Sequence, residues 1–449
     1  MNNKKLRNII SNIFVIIIII VAFFIYRKYD YNFFTKGIFE AGKTVFSRDS
    51  NIKYSKQRSY KIENKASNDA LFYKEISVLP NTPYKVTCMV KTQNVIGEKD
   101  DALAGAQVCL NGTEEHSRVL QGNNDWTKIE FFFNSKCNDK LEIGFRLGGN
   151  MKSASGTAWF SDFTLEEGAQ GDSNTWNFGC FILDYANVEI DNSQRNYVMT
   201  EQEKSIVNID MKRLQSSIKE MSNNQMEIEY DIIEIKEPLT TLSYDKENGY
   251  YINEKDVYQL IDSYVQEKEY DHIFVCTNLP LESELTHDKD ICEWVGLGNM
   301  LYSGKGFSNI RIIINDYSYS SNNTFPEEVF LHEFLHTLER NSKEYGYTVP
   351  ALHNYEFYNY ENDRTDGLRK WYIAYMNGII PTDEGYIGLP SKIYTLKPAK
   401  STDFIYSNKL DKLDEPKNII EEINSVIYKV KRLFENKESD YNLATVEGA

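Results

Sequence analysis

Two histidines lie four residues apart in the segment His332-Glu333-Phe334-Leu335-His336, and a glutamate directly follows the first of them. On a helix, residues at this spacing project from one face, so both imidazoles can bind a single metal ion. The carboxylate between them can accept a proton from a water that the metal activates. The H-E-x-x-H order therefore predicts metal-assisted hydrolysis, most often of peptide bonds. We assign His332 and His336 as ligands of Zn²⁺ and Glu333 as the general base.

The surrounding sequence suits such a helix. The chain has only six histidines, so a chance match to the motif has a low frequency. An apolar run at 309–315 predicts a buried strand, and a Ser/Asn-rich loop follows at 318–324. Thr324 suits the N-cap, Pro326 the first turn, and Gly346 the end of the helix. A strand, a loop and then an amphipathic helix is the arrangement that this chemistry requires.

A catalytic zinc takes three protein ligands, so one more must come from elsewhere. The candidates that follow the motif are Glu339, Glu344, His353, Glu356 and Asp363. Glu339 shares the helical face of the two histidines but lies a turn too far along, which predicts a supporting or surface role. His353 follows Gly346 and Pro350, which can return the chain toward the site. We predict His353 as the third ligand, with Glu356 as the alternative; a loop histidine that binds no metal is the other interpretation.

Aromatic residues crowd the region after the motif. One tyrosine hydroxyl there could donate to the oxyanion of a tetrahedral intermediate, although packing accounts for most of them. Met376 could lie beneath the metal, but an apolar methionine usually belongs to the core. The tyrosines concerned are Tyr355, Tyr358, Tyr360, Tyr372 and Tyr375.

The amino-terminal segment predicts the compartment. Residues 9–26 are almost wholly apolar and are flanked by basic residues on both sides. A run of about 18 residues is near the lower limit for spanning a bilayer, and it lacks a small-x-small cleavage site. We predict that residues 1–30 form a cytoplasmic tip and an uncleaved transmembrane signal anchor. The protein is then a single-pass protein of the cell membrane, with its carboxyl-terminal bulk extracellular; a cleaved signal peptide would export the same bulk.

Composition excludes several classes of protein. A formal charge of −16 and a pI near 5.0 argue against binding to nucleic acid, which needs a basic surface. Aromatic residues make up 13% of the chain, far more than a disordered chain carries. None of the six cysteines forms a C-x-x-C pair, which argues against a cysteine zinc site. Cys88 and Cys109 both fall in strand-like segments and could bridge.

Short alternating strands separated by turn residues fill the segment after the anchor, at 60–63, 71–78, 84–92, 105–110, 126–133, 141–147 and 157–164. They predict an antiparallel β-sandwich domain over 33–168. On residues 84–86, 105–108, 125–127 and especially 156–163, this domain resembles the jelly-roll carbohydrate-binding modules of secreted glycan-degrading enzymes. The resemblance implies that the sandwich binds sugar rings by stacking them on aromatic faces; a spacer and a protein docking domain are the other interpretations. Because Trp126, Trp159, Phe160 and Phe163 lie in regular strands, a core position is the favoured interpretation for most of them.

Strands and helices alternate from residue 177 onward. Strands are predicted at 180–188, 226–235, 272–277 and 297–303, and helices at 201–221 and 257–266. The pattern predicts an α/β domain over 177–400 with the motif helix packed on a sheet, followed by a helical extension over 401–449 with an amphipathic helix at 419–433.

This α/β region resembles the zincin superfamily of metallopeptidases. In zincins an edge strand above the motif helix holds the substrate backbone by strand addition. The chain departs from the metzincin extension H-E-x-x-H-x-x-G-x-x-H, because Glu339 and Ser342 stand where glycine and histidine should be. The compact third-ligand turn of metzincins is therefore absent.

These observations predict a multidomain, membrane-anchored, extracellular zinc peptidase acting on surface proteins or glycoproteins. That substrate class follows from the resemblance to mucin-degrading, viral-enhancin-like zincins. One alternative is a surface adhesin or glycan-binding protein that uses a zincin-like scaffold without turnover. Another is a metal-dependent amidase acting on cell-wall peptides.

Overall fold

The computed structural model describes residues 34–169, 173–190, 192–279, 294–312, 324–362, 367–401 and, for the backbone alone, 405–408. With the exception of Phe163–Leu165, these belong to one compact unit formed by Phe34–Asp162 and Glu166–Asn408. The predicted transmembrane segment at 9–26 and the predicted helix at 419–433 lie outside the described residues. Among the helices of the described stretches, none is both long enough and apolar enough to cross a membrane.

The first part of the unit is the predicted β-sandwich. Its nine strands are β1 (Thr35–Ile38), β2 (Thr44–Asp49), β3 (Ser59–Asn68), β4 (Ala70–Ser77), β5 (Pro83–Gly97), β6 (Gly105–Leu110), β7 (Gly122–Asn134), β8 (Lys140–Gly148) and β9 (Ala154–Ala169). One sheet has the order β1-β4-β8-β6 and the other the order β2-β3-β9-β5-β7. The β1–β4, β4–β8, β6–β8, β2–β3, β3–β9 and β5–β7 pairs are all antiparallel. The antiparallel sandwich is therefore confirmed.

Aromatic rings fill the space between the two sheets. Phe145 stacks on Phe160 with ring centroids 5.2 Å apart, and Tyr60 meets Phe72 edge to face at 5.2 Å. Trp159, Phe160 and Phe163 are all buried, as predicted for core residues.

A bridge between Cys88 and Cys109, which the sequence left open, is not formed. Cys88 lies on β5 of one sheet and Cys109 on β6 of the other, and both remain buried free thiols. The Cys88 Sγ atom lies 3.5 Å from the carbonyl oxygen of Ser161, and the Cys109 Sγ atom lies 4.0 Å from a guanidinium nitrogen of Arg146. Each thiol therefore contacts a different polar group, on a different sheet of the sandwich.

The second part is a mixed α/β layer. Its strands are β10 (Thr175–Leu183), β11 (Tyr185–Ile190), β12 (Ser193–Val198), β13 (Glu227–Ile235), β14 (Ser243–Asp245), β15 (Gly249–Tyr251), β16 (His272–Thr277), β17 (Gly296–Tyr302) and β18 (Lys305–Arg311). The main sheet has the order β13-β10-β16-β18-β17. Its strands are parallel except for the edge strand β17, which runs antiparallel to β18. The β11–β12 and β14–β15 pairs are small separate hairpins.

Helices cover both faces of the main sheet, which explains why its strands are so apolar. The helices are α1 (Glu201–Met221), α2 (Glu254–Lys268), α3 (Glu328–Glu344) and α4 (Gly367–Met376). Side chains of α1, α3 and α4 share one buried cluster with the sheet, and α2 packs into a second cluster with other strand residues. Capping boxes start α1 at Thr200 and α2 at Asn253.

Two predicted strands of the α/β region differ from the observed ones by more than one residue at an end. The predicted strand at 180–188 is two strands, because Asp184 interrupts it between β10 and β11 and binds Lys236 at 2.8 Å. The strand predicted at 309–315 begins earlier, as β18 from Lys305, and residues 313–315 lie outside the described part of the chain.

The motif helix α3 starts later than predicted. Its N-cap is Glu327, which makes no side-chain cap hydrogen bond, so the prediction of Thr324 as N-cap is wrong. The buried Phe325 explains this, because its carbonyl oxygen accepts a hydrogen bond from the Glu328 amide at 3.2 Å and forms a turn before the helix. The end at Gly346 is as predicted: Gly346 has φ +86°, and the Gly346 and Tyr347 amides donate to Lys343 and Ser342 in a Schellman motif.

After α4 the chain returns to the sandwich. It forms the hairpin β19 (Ile380–Thr382) and β20 (Gly385–Ile387), and then β21 (Ile405–Asn408). Backbone pairing joins β21 to β9 in antiparallel register. A helical extension was predicted over 401–449, but residues 405–408 of that segment form a strand.

The sandwich packs against the carboxyl end of α3. Lys136, in the loop between β7 and β8, binds Glu115 at 2.6 Å and Glu344 at 2.7 Å. The amide of Cys137 donates to the carbonyl oxygen of Glu344 at 3.3 Å. A positive charge and a hydrogen-bond donor thus meet the negative end of the helix that carries the motif.

Candidate metal centre

Three imidazoles converge at the surface of α3. His353 Nε2 lies 3.0 Å from His332 Nε2 and 3.1 Å from His336 Nε2. A metal ion held by imidazole nitrogens at about 2.0–2.1 Å in tetrahedral geometry places those nitrogens about 3.3 Å apart. Among the described residues, these three histidines are the one group of histidine, cysteine or carboxylate side chains with the spacing to hold a metal ion. The structure therefore brings together the three residues that the sequence analysis assigned as ligands.

The loop that carries His353 is held by hydrogen bonds on both sides. Trp371 Nε1 of α4 donates to the carbonyl oxygen of Leu352 at 2.9 Å, and the Tyr375 hydroxyl donates to that of Pro350 at 3.1 Å. The amide of Leu352 donates to Glu339 Oε2 of α3 at 3.3 Å. The position of His353 thus depends on α3 and α4 together.

The outer nitrogens of the two helix histidines also have partners. His332 Nδ1 lies 2.9 Å from the Tyr372 hydroxyl, which donates to Glu328 Oε1 at 2.6 Å. His336 Nδ1 lies 3.4 Å from Glu339 Oε2. With Nδ1–H donating outward, each imidazole presents its Nε2 lone pair to the centre, which is the form that binds metal.

The local electrostatics favour a neutral His353 beside an ionised Glu339. Burial lowers the pKa of His353, and the nearby His336 lowers it further. Burial raises the pKa of Glu339, but hydrogen bonds from His336 and Lys343 outweigh this and lower it to about 2. Glu339 is therefore ionised at neutral pH, whereas His353 is neutral.

Glu333 points into a narrow space beneath the edge strand β17. A Cβ atom at Gly296 would lie 2.5 Å from its Oε1, and one at Gly298 would lie 2.6 Å from its Oε2, so only glycine fits at either position. Burial raises the pKa of Glu333 to about 8, and the charge of Glu328 adds to this, while a hydrogen bond from the Gly298 backbone lowers it. A cation bound by the three histidines would lower that pKa and favour the carboxylate form.

An open cleft of about 430 Å³ gives access to Glu333, His332 and His353. Gly296 and Leu297 of β17 form one wall. Other residues that line it are Asn248, Trp294, Val329, Tyr355, Leu368 and Tyr372. The cleft has both apolar and polar groups, as small-molecule and peptide sites do.

The remaining candidates occupy other positions. Glu344 binds Lys136, and Glu356 begins an exposed 3-10 turn, Glu356–Tyr358, after His353. Asp363 lies outside the described residues. Glu339, predicted as a supporting or surface residue, is buried beside His336. Met376 belongs to the apolar core.

The five predicted tyrosines separate into two groups. Tyr355 and Tyr372 line the cleft. Tyr358 and Tyr360 pack on the Trp371 ring at 5.9 and 5.3 Å, and Tyr375 binds the Pro350 carbonyl. Packing therefore accounts for most of them, as predicted.

Sequence reasoning missed the glycines over Glu333 and the Tyr372–Glu328 pair. The G-x-G spacing of Gly296 and Gly298 on an edge strand was the available signal for the first. No short-range pattern links Tyr372 to Glu328, because 44 residues separate them.

Comparisons with known proteins give no match to any protein-family model and none to a curated protein. Among solved structures, a CBM4 carbohydrate-binding module shares 15% identity, with 31% of this chain and 81% of that chain covered and a TM-score of 0.21. The CBM22-1 xylan-binding domain from Paenibacillus barcinonensis shares 13%, with 29% and 85% covered and a TM-score of 0.21. A Cellvibrio mixtus carbohydrate-binding module in complex with cellotriose shares 9%, with 29% and 98% covered and a TM-score of 0.18.

These similarities concern fold only. The chain contains an antiparallel β-sandwich followed by a mixed α/β region. The structures compared above offer no support for the zincin resemblance of the second region.

Proposed function

We propose that this chain is a zinc-dependent hydrolase of peptide bonds, with Zn²⁺ held by His332, His336 and His353. The observation that carries the proposal is the convergence of three imidazole Nε2 atoms beside a buried carboxylate in an open cleft. Three imidazole nitrogen donors are a set that suits zinc and leaves a position open for water or substrate. When bound there, zinc supplies the Lewis acidity that activates a water and a carbonyl group.

The residues of the chain handle the proton. Glu333 takes one proton from the attacking water as the water oxygen bonds to the carbonyl carbon. It then gives that proton to the amide nitrogen as the carbon–nitrogen bond breaks. The Gly298 backbone and the close approach of β17 restrain the carboxylate, so its position is set before the substrate binds. The products are a carboxylic acid and an amine.

The proposed substrates are proteins or glycoproteins outside the cell. The predicted anchor at 9–26 supports this location, because it would hold the cleft on the outer side of the cell membrane. The same residues and the same chemistry would also hydrolyse a cell-wall peptide.

Glu333→Gln tests the proposal. The purified variant should keep about one zinc per chain yet hydrolyse a fluorescent casein substrate at least about 10³-fold more slowly, since it cannot accept the proton. His336→Ala should lose the zinc. Full activity in Glu333→Gln, or a wild-type protein that binds no zinc, would overturn the assignment.

A second function, glycan binding by the sandwich, is favoured by one exposed aromatic pair. Trp126 is only partly buried, and Tyr54, whose side chain is 52% exposed, meets it edge to face at 5.8 Å. Asp125, which precedes Trp126 in the chain, forms an ion pair with Lys91, with Lys91 Nζ 2.7 Å from Asp125 Oδ1. Exposed rings flanked by polar groups can stack on the apolar faces of sugars.

Carbohydrate binding is also the activity that names the modules compared with this chain above. Affinity electrophoresis in gels containing xylan or cello-oligosaccharide polymers tests it. Retardation should disappear in a Tyr54→Ala/Trp126→Ala variant and persist in Phe39→Ala, which removes an exposed ring elsewhere. A wild-type protein that no glycan retards would refute it.

A further inference from the structure

Glu339 contacts both of the segments that supply the imidazoles, helix α3 and the loop that carries His353. His332 and His336 come from one helix, whose geometry sets their spacing. His353 comes from the loop after the helix, so its position relative to them needs a separate constraint. Glu339 lies one turn after His336 on α3 and contacts both segments.

The two carboxylate oxygens of Glu339 have different partners. Oε2 lies 3.4 Å from His336 Nδ1 and accepts the Leu352 amide at 3.3 Å. Oε1 accepts from Lys343 Nζ at 2.6 Å. The Glu339 side chain is 11% exposed, whereas that of Lys343 is 55% exposed. One oxygen is therefore shared by a helix ligand and by the residue directly before His353, while the other faces a cation near solvent.

We propose that Glu339 is a positioning residue that sets the geometry of two zinc ligands at once. It orients His336 by accepting from Nδ1, and it places His353 by holding the Leu352 amide. A carboxylate behind a metal-binding imidazole fixes the ring orientation and raises its basicity. This inference rests on the proposed metal site and adds to it a constraint that H-E-x-x-H alone does not contain.

The division of the two oxygens makes a specific prediction for glutamine. An amide has one acceptor oxygen and one donor nitrogen. If the oxygen faces His336 and Leu352, the NH₂ group opposes the Lys343 ammonium. If the amide turns over, the NH₂ group opposes the His336 and Leu352 donors. Glu339→Gln therefore suffers a donor–donor conflict in either orientation, and removing the ammonium relieves the first of them.

The experiment compares wild type, Glu339→Gln, Lys343→Met and the double variant, all as full chains. Zinc affinity is measured by competition with a chromophoric chelator, and the visible spectrum of the Co²⁺-substituted protein reports ligand geometry. Glu339→Gln should bind zinc about 10–100-fold more weakly and show a changed cobalt spectrum. Lys343→Met should stay within about twofold of wild type, because the Lys343 side chain is 55% exposed and water can replace its ammonium group at Oε1. The double variant should regain most of the lost affinity.

Glu339→Asp is the second test, needed if Glu339→Gln does not fold by circular dichroism. It keeps the charge but withdraws the carboxylate by one methylene, so zinc binding should weaken as well. Wild-type affinity in Glu339→Gln or in Glu339→Asp, or an affinity of the double variant no better than that of Glu339→Gln, would overturn the inference while leaving the metal site intact. A wild-type chain that binds neither Zn²⁺ nor Co²⁺ would instead overturn the proposed function.

Discussion

His353 Nε2 lies 3.0 Å from His332 Nε2, although 21 residues separate them in the chain. The alternative third ligand, Glu356, begins an exposed turn three residues after His353 in the chain. We expect His353→Ala to weaken zinc binding by at least about 10²-fold, because a catalytic zinc loses one of its three protein ligands. Glu356→Gln should bind zinc as wild type does. Chelator competition on both variants decides between the two candidates, and the reverse order of effects would identify Glu356 as the ligand.

The close contact between β17 and Glu333 predicts that one added methyl group, in Gly298→Ala, lowers catalysis strongly. A Cβ atom at position 298 would lie 2.6 Å from Glu333 Oε2 and 2.8 Å from the Glu333 backbone oxygen. Gly298→Ala must therefore move the edge strand or the carboxylate, and it should lower kcat by at least about tenfold, since misplaced catalytic groups are costly. Zinc affinity should change little, because none of the imidazoles is displaced. Unchanged peptide hydrolysis in this variant would show that the position of Glu333 is not critical.

Tyr372 links a proposed ligand to a buried acid. Its hydroxyl lies 2.9 Å from His332 Nδ1 and donates to Glu328 Oε1 at 2.6 Å. Tyr372→Phe should destabilise the fold by about 1–3 kcal/mol, because a buried charged acceptor loses a donor. It should also weaken zinc binding by about tenfold.

Tyr394→Phe is the matched control for that prediction. Tyr394 is also fully buried, and its hydroxyl donates to the Met376 carbonyl away from the histidines. This variant should lower the free energy of unfolding without changing zinc affinity. Equal zinc affinities for the two phenylalanine variants would contradict a role of Tyr372 in orienting His332.

Local signals in the sequence predicted a large part of the architecture. Strand β6 and helix α1 have the predicted bounds, because alternation of apolar residues over a strand and a three-to-four-residue repeat over a helix are both short-range patterns. The end of α3 at Gly346 could be predicted because its positive φ favours glycine. The convergence of His332 and His336 could likewise be predicted, because both residues lie on the same helix.

Features that depend on distant pairing could not be predicted. The hydrogen bond from Tyr372 to Glu328 joins α4 to α3, and the packing of Gly298 on Glu333 joins an edge strand to a helix. The pairing of β21 with β9 could not be predicted either, because a strand of four residues is too short to show a clear apolar alternation. Thr324 failed as an N-cap because the burial of Phe325 outweighed a local capping preference.

Lys136 connects the sandwich to the motif helix, so its removal should destabilise the unit. It lies between Glu115 and Glu344, and the Glu115 side chain is only 10% exposed. Burial lowers the pKa of Lys136, but the two carboxylates outweigh this and raise it well above its usual range. Lys136→Met should lower the free energy of unfolding by about 1–3 kcal/mol, because Glu115 keeps a nearly buried charge without this cation.

Lys128→Met provides the control for Lys136. Lys128 also pairs with a glutamate at 2.6 Å, but its side chain is 56% exposed. An exposed ion pair contributes at most about 1 kcal/mol, so this variant should unfold almost as wild type does in urea. Equal midpoints for the two variants would show that the sandwich does not stabilise α3 through Lys136.

His116 and Glu254 predict a pH dependence of stability. His116 Nε2 lies 3.4 Å from Glu254 Oε1, and both side chains are at least nine-tenths buried. Burial lowers the pKa of His116, and Lys152 lowers it further, but the charge and hydrogen bond of Glu254 outweigh both, so the pKa is raised above its ordinary value. A histidine with a raised folded pKa stabilises the fold fully below its unfolded pKa of about 6.5, and this contribution is lost as pH rises through the folded pKa.

The free energy of unfolding of wild type minus that of His116→Gln should therefore fall as pH rises from about 6 to about 9. Urea unfolding of both proteins at several pH values measures it. Taking the difference cancels groups that both proteins share, such as Asp210, whose pKa burial raises to about 7. A difference that stays constant, or grows toward high pH, would show that the His116–Glu254 pair does not titrate in this range.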